Sequence, residues 1–352
     1  MNLPVGVTSR KVHTYRLETH ILEHGDKTGE PVLLIHGNVS SNRFFDELLA
    51  AMPDRFYAIA PDLRGYGESQ SKPVDATRGV RDWTDDLEAL VEALGLRGKK
   101  LHLLGWSLGG GVVMQYAISQ PQSVASLTLL APVSPYGFGS TKGKEGELIA
   151  ADAAGSGGGT ANPEFVRLVS DNDMSSESPL TPRNVMNAFY FKPPFKVAAN
   201  VEDRLVAAMN KTVVGEGNYP GNLTASNNWP GMAPGNSGVL NTITPNHFNV
   251  SRIAEIDPKP PVLWVHGDSD QIVSDTSFFD MAFLGSLGAV PAWPGVESCP
   301  PQPMVAQTRA VLERYQANGG KYLELLFQDC GHSPHIEKHE EFVREFVGFL
   351  GG

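Results

Sequence analysis

Apolar positions along the chain follow two rhythms. Short runs rich in β-branched and other apolar residues at 11–16, 19–23, 31–36, 56–60, 101–105, 125–130, 261–266 and 322–327 predict eight strands. Between them, at 41–52, 83–95, 108–119, 303–317 and 336–349, apolar residues recur at i, i+3 and i+4, the spacing of an amphipathic helix. Strands alternating with crossover helices give an α/β architecture, a mostly parallel, doubly wound sheet covered on both faces. Ligands of such sheets bind beyond the carboxyl ends of the strands.

The rhythm fails once. From 134 to 257 no strand fits well. This stretch carries glycine-rich "AAGSGGG" at 153–159, helical patterns near 163–170, 181–190 and 200–210, and then "NYPGNLTASNNWPGMAPGNSGVLNTITPNHF", which reads as loop. More than 120 residues is too long for a connection between two sheet strands. A mainly helical and loop cap is therefore expected at 134–257, inserted between the sixth and seventh strands of a core formed by 1–133 and 258–352. Phe165, Phe189, Phe191 and Trp229 would give it a small core, which a disordered insert lacks. Proline-rich "GAVPAWPGVESCPPQP" at 288–303 reads as a loop near the same rim.

Composition narrows the ligand. The 352 residues suffice for a sizeable core, and 28 Lys and Arg against 39 Asp and Glu leave a net charge of -11. That balance disfavours nucleic acid and anionic membranes and suits a small, neutral or weakly polar molecule. The opening "MNLPVG" lacks a basic, apolar secretory leader, and no apolar run nears the ~20 residues of a membrane span, so a cytoplasmic location is expected. Cys299 and Cys330 are too few for a disulfide framework or a zinc site, and reduced thiols are expected. His332 and His335 stand i, i+3 beside Glu337, but Pro334 between them argues against a helical ligand pair, so no metal is expected.

The chemistry centres on "LHLLGWSLGGGVVMQYA", residues 101–117, where an apolar strand passes into a helix through Gly105-Trp106-Ser107-Leu108-Gly109. A serine in a glycine-flanked strand-to-helix turn is lifted clear of the sheet edge, as a nucleophile must be. A serine hydroxyl is a poor nucleophile at neutral pH and needs a base oriented by a carboxylate. His332 in "FQDCGHSPHIEKHEEF" follows the last strand and is the candidate base; His335 and His339 read as bystanders. In "VLWVHGDSDQIVSD", Asp270 is the better carboxylate, because Ile272 and Val273 anchor its turn, whereas Asp268 beside the glycine suits a loop-capping role. Asp329 is a more distant alternative. Backbone N–H groups of Leu108, at the helix start, and of Asn38, in "LLIHGNVSSNRFF", are the candidate donors to an oxyanion.

These stretches together resemble the α/β-hydrolase superfamily over nearly the whole chain. The carriers are His36-Gly37-Asn38, Asp62-Leu63-Arg64-Gly65-Tyr66-Gly67-Glu68-Ser69, the Ser107 elbow, Gly267-Asp268-Ser269-Asp270-Gln271-Ile272-Val273 and Gly331-His332-Ser333-Pro334. The chain order Ser107, Asp270, His332 is that of the superfamily. The resemblance implies an α/β-hydrolase fold and an architectural role for the loop of Asp62 and Arg64. Val39 stands where the family usually carries proline. His-Gly-Asn also resembles the halide-binding loop of haloalkane dehalogenases, but those enzymes, like epoxide hydrolases, use an aspartate nucleophile where this chain has Ser107.

The expected activity is hydrolysis of a small carboxylic ester or lactone through an acyl-enzyme, with no cofactor. Trp106 is expected either to line the pocket or to pack beneath it, and Trp229, Met232 and Phe248 are candidate substrate walls. The same triad would serve acyl transfer, perhydrolysis or carbon-carbon cleavage, and a ligand-sensing receptor of the same fold is the alternative outside catalysis. Asn38, Asn210, Asn222 and Asn249 begin glycosylation sequons, expected to be chance matches in a chain without a leader.

Overall fold

All eight predicted strands form, in one sheet. The computed structural model describes residues 3–351, with β1 (Thr8–His13), β2 (Glu18–His24), β3 (Glu30–Ile35), β4 (Phe56–Pro61), β5 (Leu101–Trp106), β6 (Val124–Leu130), β7 (Val262–Gly267) and β8 (Tyr322–Phe327). Their spatial order is β1-β2-β4-β3-β5-β6-β7-β8. β2 pairs antiparallel with β1 and β4, and every other neighbour is parallel. β4, β5 and β7 are buried at every position, as continuous apolar runs become when a parallel sheet is covered on both faces.

The first strand corrects the sequence reading, for it spans 8–13 rather than 11–16. Thr14 ends it by closing a tight turn, its hydroxyl donating to the Leu17 carbonyl and accepting from the Leu17 and Arg16 N–H groups. Most longer helices lie where the periodicity puts them: α1 (Arg81–Ala93), α2 (Leu108–Ser119), α3 (Pro163–Ser170), α4 (Ala199–Met209), α5 (Met304–Ala317) and α6 (His339–Gly351). The expected 41–52 helix is instead a 3-10 turn at Asn42–Phe45 running into a short helix at Asp46–Ala50, and Met281–Ser286 is a short helix outside every predicted run. The predicted 336–349 helix is split, with a short turn at Pro334–Glu337 separated from α6 by a non-helical Lys338. No helix among the described residues is long and apolar enough to cross a membrane.

α2 is buried from Leu108 to Ala117. It lies so close to the sheet that a Cβ at Gly109 would stand 2.2 Å from the Ile35 carbonyl oxygen, and one at Gly105 2.2 Å from that of Gly109. Glycine is required there by contact.

Between β6 and β7 nothing joins the main sheet. Thr141–Lys142 pairs with Glu147–Leu148 and Leu223–Ala225 with Met232–Pro234, each as a separate two-stranded ladder. α3 starts on Pro163, with the Asn162 side chain capping the N–H groups of Glu164 and Phe165. Phe165, Phe191, Leu205 and Met209 of this segment belong to the same apolar cluster as the sheet, while Phe189 and Trp229 stay partly exposed. A buried polar knot ties its beginning to α5. Gln302 accepts from Gly139 N–H and donates to the Gly137 carbonyl and to Gln307; Gln307 accepts from Ser134 and donates to Thr141 and the Gly143 carbonyl. Both glutamines are buried, so each of these bonds replaces one that water no longer supplies.

Candidate active site

Three of the sequence-predicted residues stand past the carboxyl ends of β5, β7 and β8, with β6 between the first two. Ser107 follows β5 directly, with φ 58° and ψ -120°, a backbone region that L-residues other than glycine rarely hold. The turn is fixed on both sides: Ser107 N–H donates to Leu130 O at 2.9 Å, and its carbonyl accepts from Gly110 at 2.9 Å and Val133 at 3.0 Å. Its hydroxyl bonds to no other described residue, and the side chain remains partly accessible.

Asp270, after β7, and His332, after β8, meet at 2.7 Å through Oδ2 and Nδ1. Both are buried, and the other carboxylate oxygen accepts the Ile272 and Val273 N–H groups at 2.7 and 3.0 Å. The carboxylate is thereby aimed at Nδ1, which leaves Nε2 as the free ring nitrogen. Asp268 takes the loop role expected of it: its Oδ1 accepts from Cys330 N–H and Ser269 Oγ, while Ser269 N–H donates back to Cys330 O. Asp329 is exposed and pairs with Lys192. The two loops are thus laced to each other.

Trp106 packs rather than lines. It is 1 % exposed, its Nε1–H donates to the His332 carbonyl at 2.8 Å, and its ring lies against Phe44, Tyr190, His332 and His335. That bond ties the Ser107 strand to the His332 loop.

The loop after β3 abuts the same turn, since a Cβ at Gly37 would stand 2.9 Å from Ser107 Cβ. His36 braces it, with Nε2 accepting Leu63 N–H and Nδ1 facing Gly37 O and Ser40; burial pushes its pKa down and keeps the ring neutral. The Tyr66 hydroxyl donates to Asn38 Oδ1 at 2.7 Å. Neither Asn38 N–H nor Leu108 N–H donates to another described residue, and Leu108 opens α2, where the helix dipole favours negative charge. Asp62 and Arg64 take structural partners: Asp62 accepts from Asn42 and Glu68 N–H groups, and Arg64 forks onto Asp86 at 2.6 and 2.7 Å.

The remaining candidates have their own partners. Phe248 is buried over Gly111 of α2, Met232 turns its sulfur toward Gly159, and Trp229 packs near Gly285 and donates to the Pro291 carbonyl. Two residues that matter here went unread in the sequence. Tyr190, from the long segment, donates to the Asn38 and Val39 carbonyls at 3.0 and 3.1 Å, and its ring faces Trp106 and His332. Glu337, whose pKa burial raises, accepts from Gly331 N–H at 2.9 Å and Lys192 N–H at 2.7 Å. Tyr190 sits in no motif and only the folded chain brings it here, whereas Glu337 stands five residues after His332 and reads in the sequence only as a metal-ligand neighbour. Both cysteines are free and buried, and the amides of Asn38 and Asn210 are engaged with Tyr66 and the Asp173 carbonyl.

Comparison with known proteins extends the picture. Among curated proteins, the chain is 36 % identical over 127 residues to Lipase 1 of Psychrobacter immobilis, covering 36 % of this chain and 39 % of that one. It is 34 % identical over 113 residues to cis-3-alkyl-4-alkyloxetan-2-one decarboxylase of Shewanella oneidensis, covering 32 % of this chain and 34 % of that one. These matches therefore span well under half of either relative. Among solved structures, a membrane phospholipase A superposes with a TM-score of 0.62 at 20 % identity, over 99 % of this chain and 86 % of that one. Carboxylesterase CesB of Bacillus subtilis does so at 0.59 and 16 %, over 99 % and 94 %. The profile of the alpha/beta hydrolase family matches residues 32–345, from β3 into α6. With that match joined to the sheet order and the strand-end turns, the chain belongs to the alpha/beta hydrolase family.

Proposed function

We propose that the protein is a serine hydrolase that cleaves a small carboxylic ester or lactone through an acyl-enzyme. One observation carries the reading: a buried Asp270–His332 pair at 2.7 Å, whose histidine loop is bonded to Trp106, the residue before a strained, accessible Ser107 with two unused backbone N–H groups at its turn and the abutting loop. In this reading His332 takes the Ser107 proton and the hydroxyl oxygen attacks the carbonyl carbon. Asn38 and Leu108 N–H groups hold the oxyanion, and Asp270 fixes the imidazole tautomer and steadies its charge. His332 then protonates the leaving group, and water, activated by the same imidazole, releases the acid. The Ser107–His332 hydrogen bond forms as substrate seats, since such contacts are often loose in the empty site.

Residues 134–257 act as a cap over this site, with Tyr190 as their point of contact. The 288–303 loop, which receives the Trp229 indole at Pro291, is a second specificity element. The relative named for an oxetan-2-one, a four-membered lactone, favours including strained lactones among the substrates.

The test is acid release in a pH-stat across short-chain esters, aryl esters and lactones, with Ser107→Ala alongside. Release by the wild type alone, with the variant down at least ~10³-fold, is the expected result and ranks acyl size. Equal release by both would remove Ser107 from the reaction. Silence across the panel would favour carbon-carbon cleavage or a ligand sensor.

A further inference from the structure

The fold contains a second serine, histidine and aspartate in line. Ser9 Oγ on β1 lies 2.8 Å from His20 Nε2 on β2, and His20 Nδ1 lies 2.7 Å from Asp62 Oδ2, just past β4. Antiparallel pairing sets Lys11 opposite His20, so Ser9, two residues before Lys11, shares the face of that histidine. Asp62 is held as Asp270 is: one imidazole and two backbone N–H groups, from Asn42 at 2.8 Å and Glu68 at 2.9 Å. The carboxylate draws the Nδ1 proton, so Nε2 is left to accept from the Ser9 hydroxyl. Glu68 Oε2 comes within 4.0 Å of the same nitrogen but is engaged by Lys211. His20 and Asp62 are buried while Ser9 is exposed, and all three line a cleft of about 410 Å³ that Arg43, Arg204 and Lys211 also border.

We propose that Ser9 is a second nucleophile, an acceptor of small acyl groups from activated esters, served by His20 and Asp62 and independent of Ser107. β1 is four strands from β5 in the sheet, roughly 19 Å at ~4.8 Å per strand. In the step itself, Ser9 Oγ bonds to the carbonyl carbon while its proton passes to His20 Nε2. The bond from that carbon to the leaving oxygen then breaks, and the proton moves from Nε2 to that oxygen. The products are O-acyl-Ser9 and a free alcohol or phenol. Arg43, Arg204 and Lys211 border the cleft already paired with Asp46, Glu47 and Glu68, so little positive charge is left for an oxyanion. Among the described residues no paired N–H cradle like that at Ser107 is found beside Ser9, so this serine is acylated once rather than turning over.

The experiment uses the full chain carrying Ser107→Ala, so its outcome does not depend on the role of Ser107. The protein is incubated with excess p-nitrophenyl acetate and the adducts are mapped by peptide mass spectrometry. Acetylation of Ser9 at least tenfold faster than of Thr8, its exposed neighbour on the same strand, is expected, as is a tenfold loss of Ser9 labelling in His20→Gln. Thr8 serves as a control that needs no further variant. Ser9 labelled no faster than Thr8, or equally fast without the imidazole, would overturn the proposal.

Discussion

Ser107 holds its backbone at a φ of 58°, and the cost of that conformation, about 1–3 kcal/mol, is the strain that lifts its side chain out of the turn. Glycine adopts this region freely, although its unfolded chain gains entropy worth ~0.5–1 kcal/mol. Ser107→Gly should therefore melt above both the wild type and Ser107→Ala, by roughly 1 kcal/mol in chemical denaturation, while losing hydrolysis. A Ser107→Gly protein no more stable than Ser107→Ala would place the strain elsewhere. The candidate serine, aspartate and histidine are legible as positions because each lies within five residues of a strand end, in a short glycine-containing loop that leaves a side chain little freedom. Tyr190 was not, since its hydrogen bonds to Asn38 and Val39 span about 150 residues and leave no periodic or motif signal.

The elements were easier to read than their ends. Eight apolar runs became eight strands because period and length agree with burial on both faces, and element boundaries shifted where local chemistry intervened, as at the strand end at Thr14 and the helix break at Lys338. The contact of α2 against β3 leaves no room for a side chain. Gly109→Ala would press a methyl group to 2.2 Å from Ile35 O, and backbone cannot step aside as a side chain can. The helix would have to move off the sheet, carrying Leu108 with it. The expected loss is about 1–3 kcal/mol or more of stability, read by urea unfolding. Activity should fall further than stability alone explains at temperatures where the variant is fully folded. Unchanged turnover in the folded variant would show that the start of α2 tolerates displacement.

Over the molecule as a whole, acid sensitivity has an identifiable source. His335 is buried among Phe45, Trp106 and Phe342; burial, reinforced by His339 and His332, pushes its pKa from 6.5 down to about 3. The unfolded chain therefore binds a proton that the folded chain refuses. Stability present above pH 6.5 is lost as pH falls toward 3, approaching roughly 5 kcal/mol for this one group. The buried carboxyls of Asp280, Glu337 and Asp46, raised by burial, act in the opposite sense, regaining stability as pH falls through their elevated values. A comparison with His335→Phe isolates the histidine: the variant's acid limb should flatten between pH 6.5 and 3. Parallel curves for the two proteins would count against it. The knot of Gln302 and Gln307 carries a different consequence. Pulling 134–143 from α5 would break several hydrogen bonds at once where no water replaces them, so that flank of the long segment is a fixed wall on the timescale of turnover. The opposite flank is tied at scattered points instead, by the Tyr190 hydroxyl to the Asn38 loop, by Lys192 to Glu337 and Asp329, and by Arg204 to Asp46, each exchangeable one at a time.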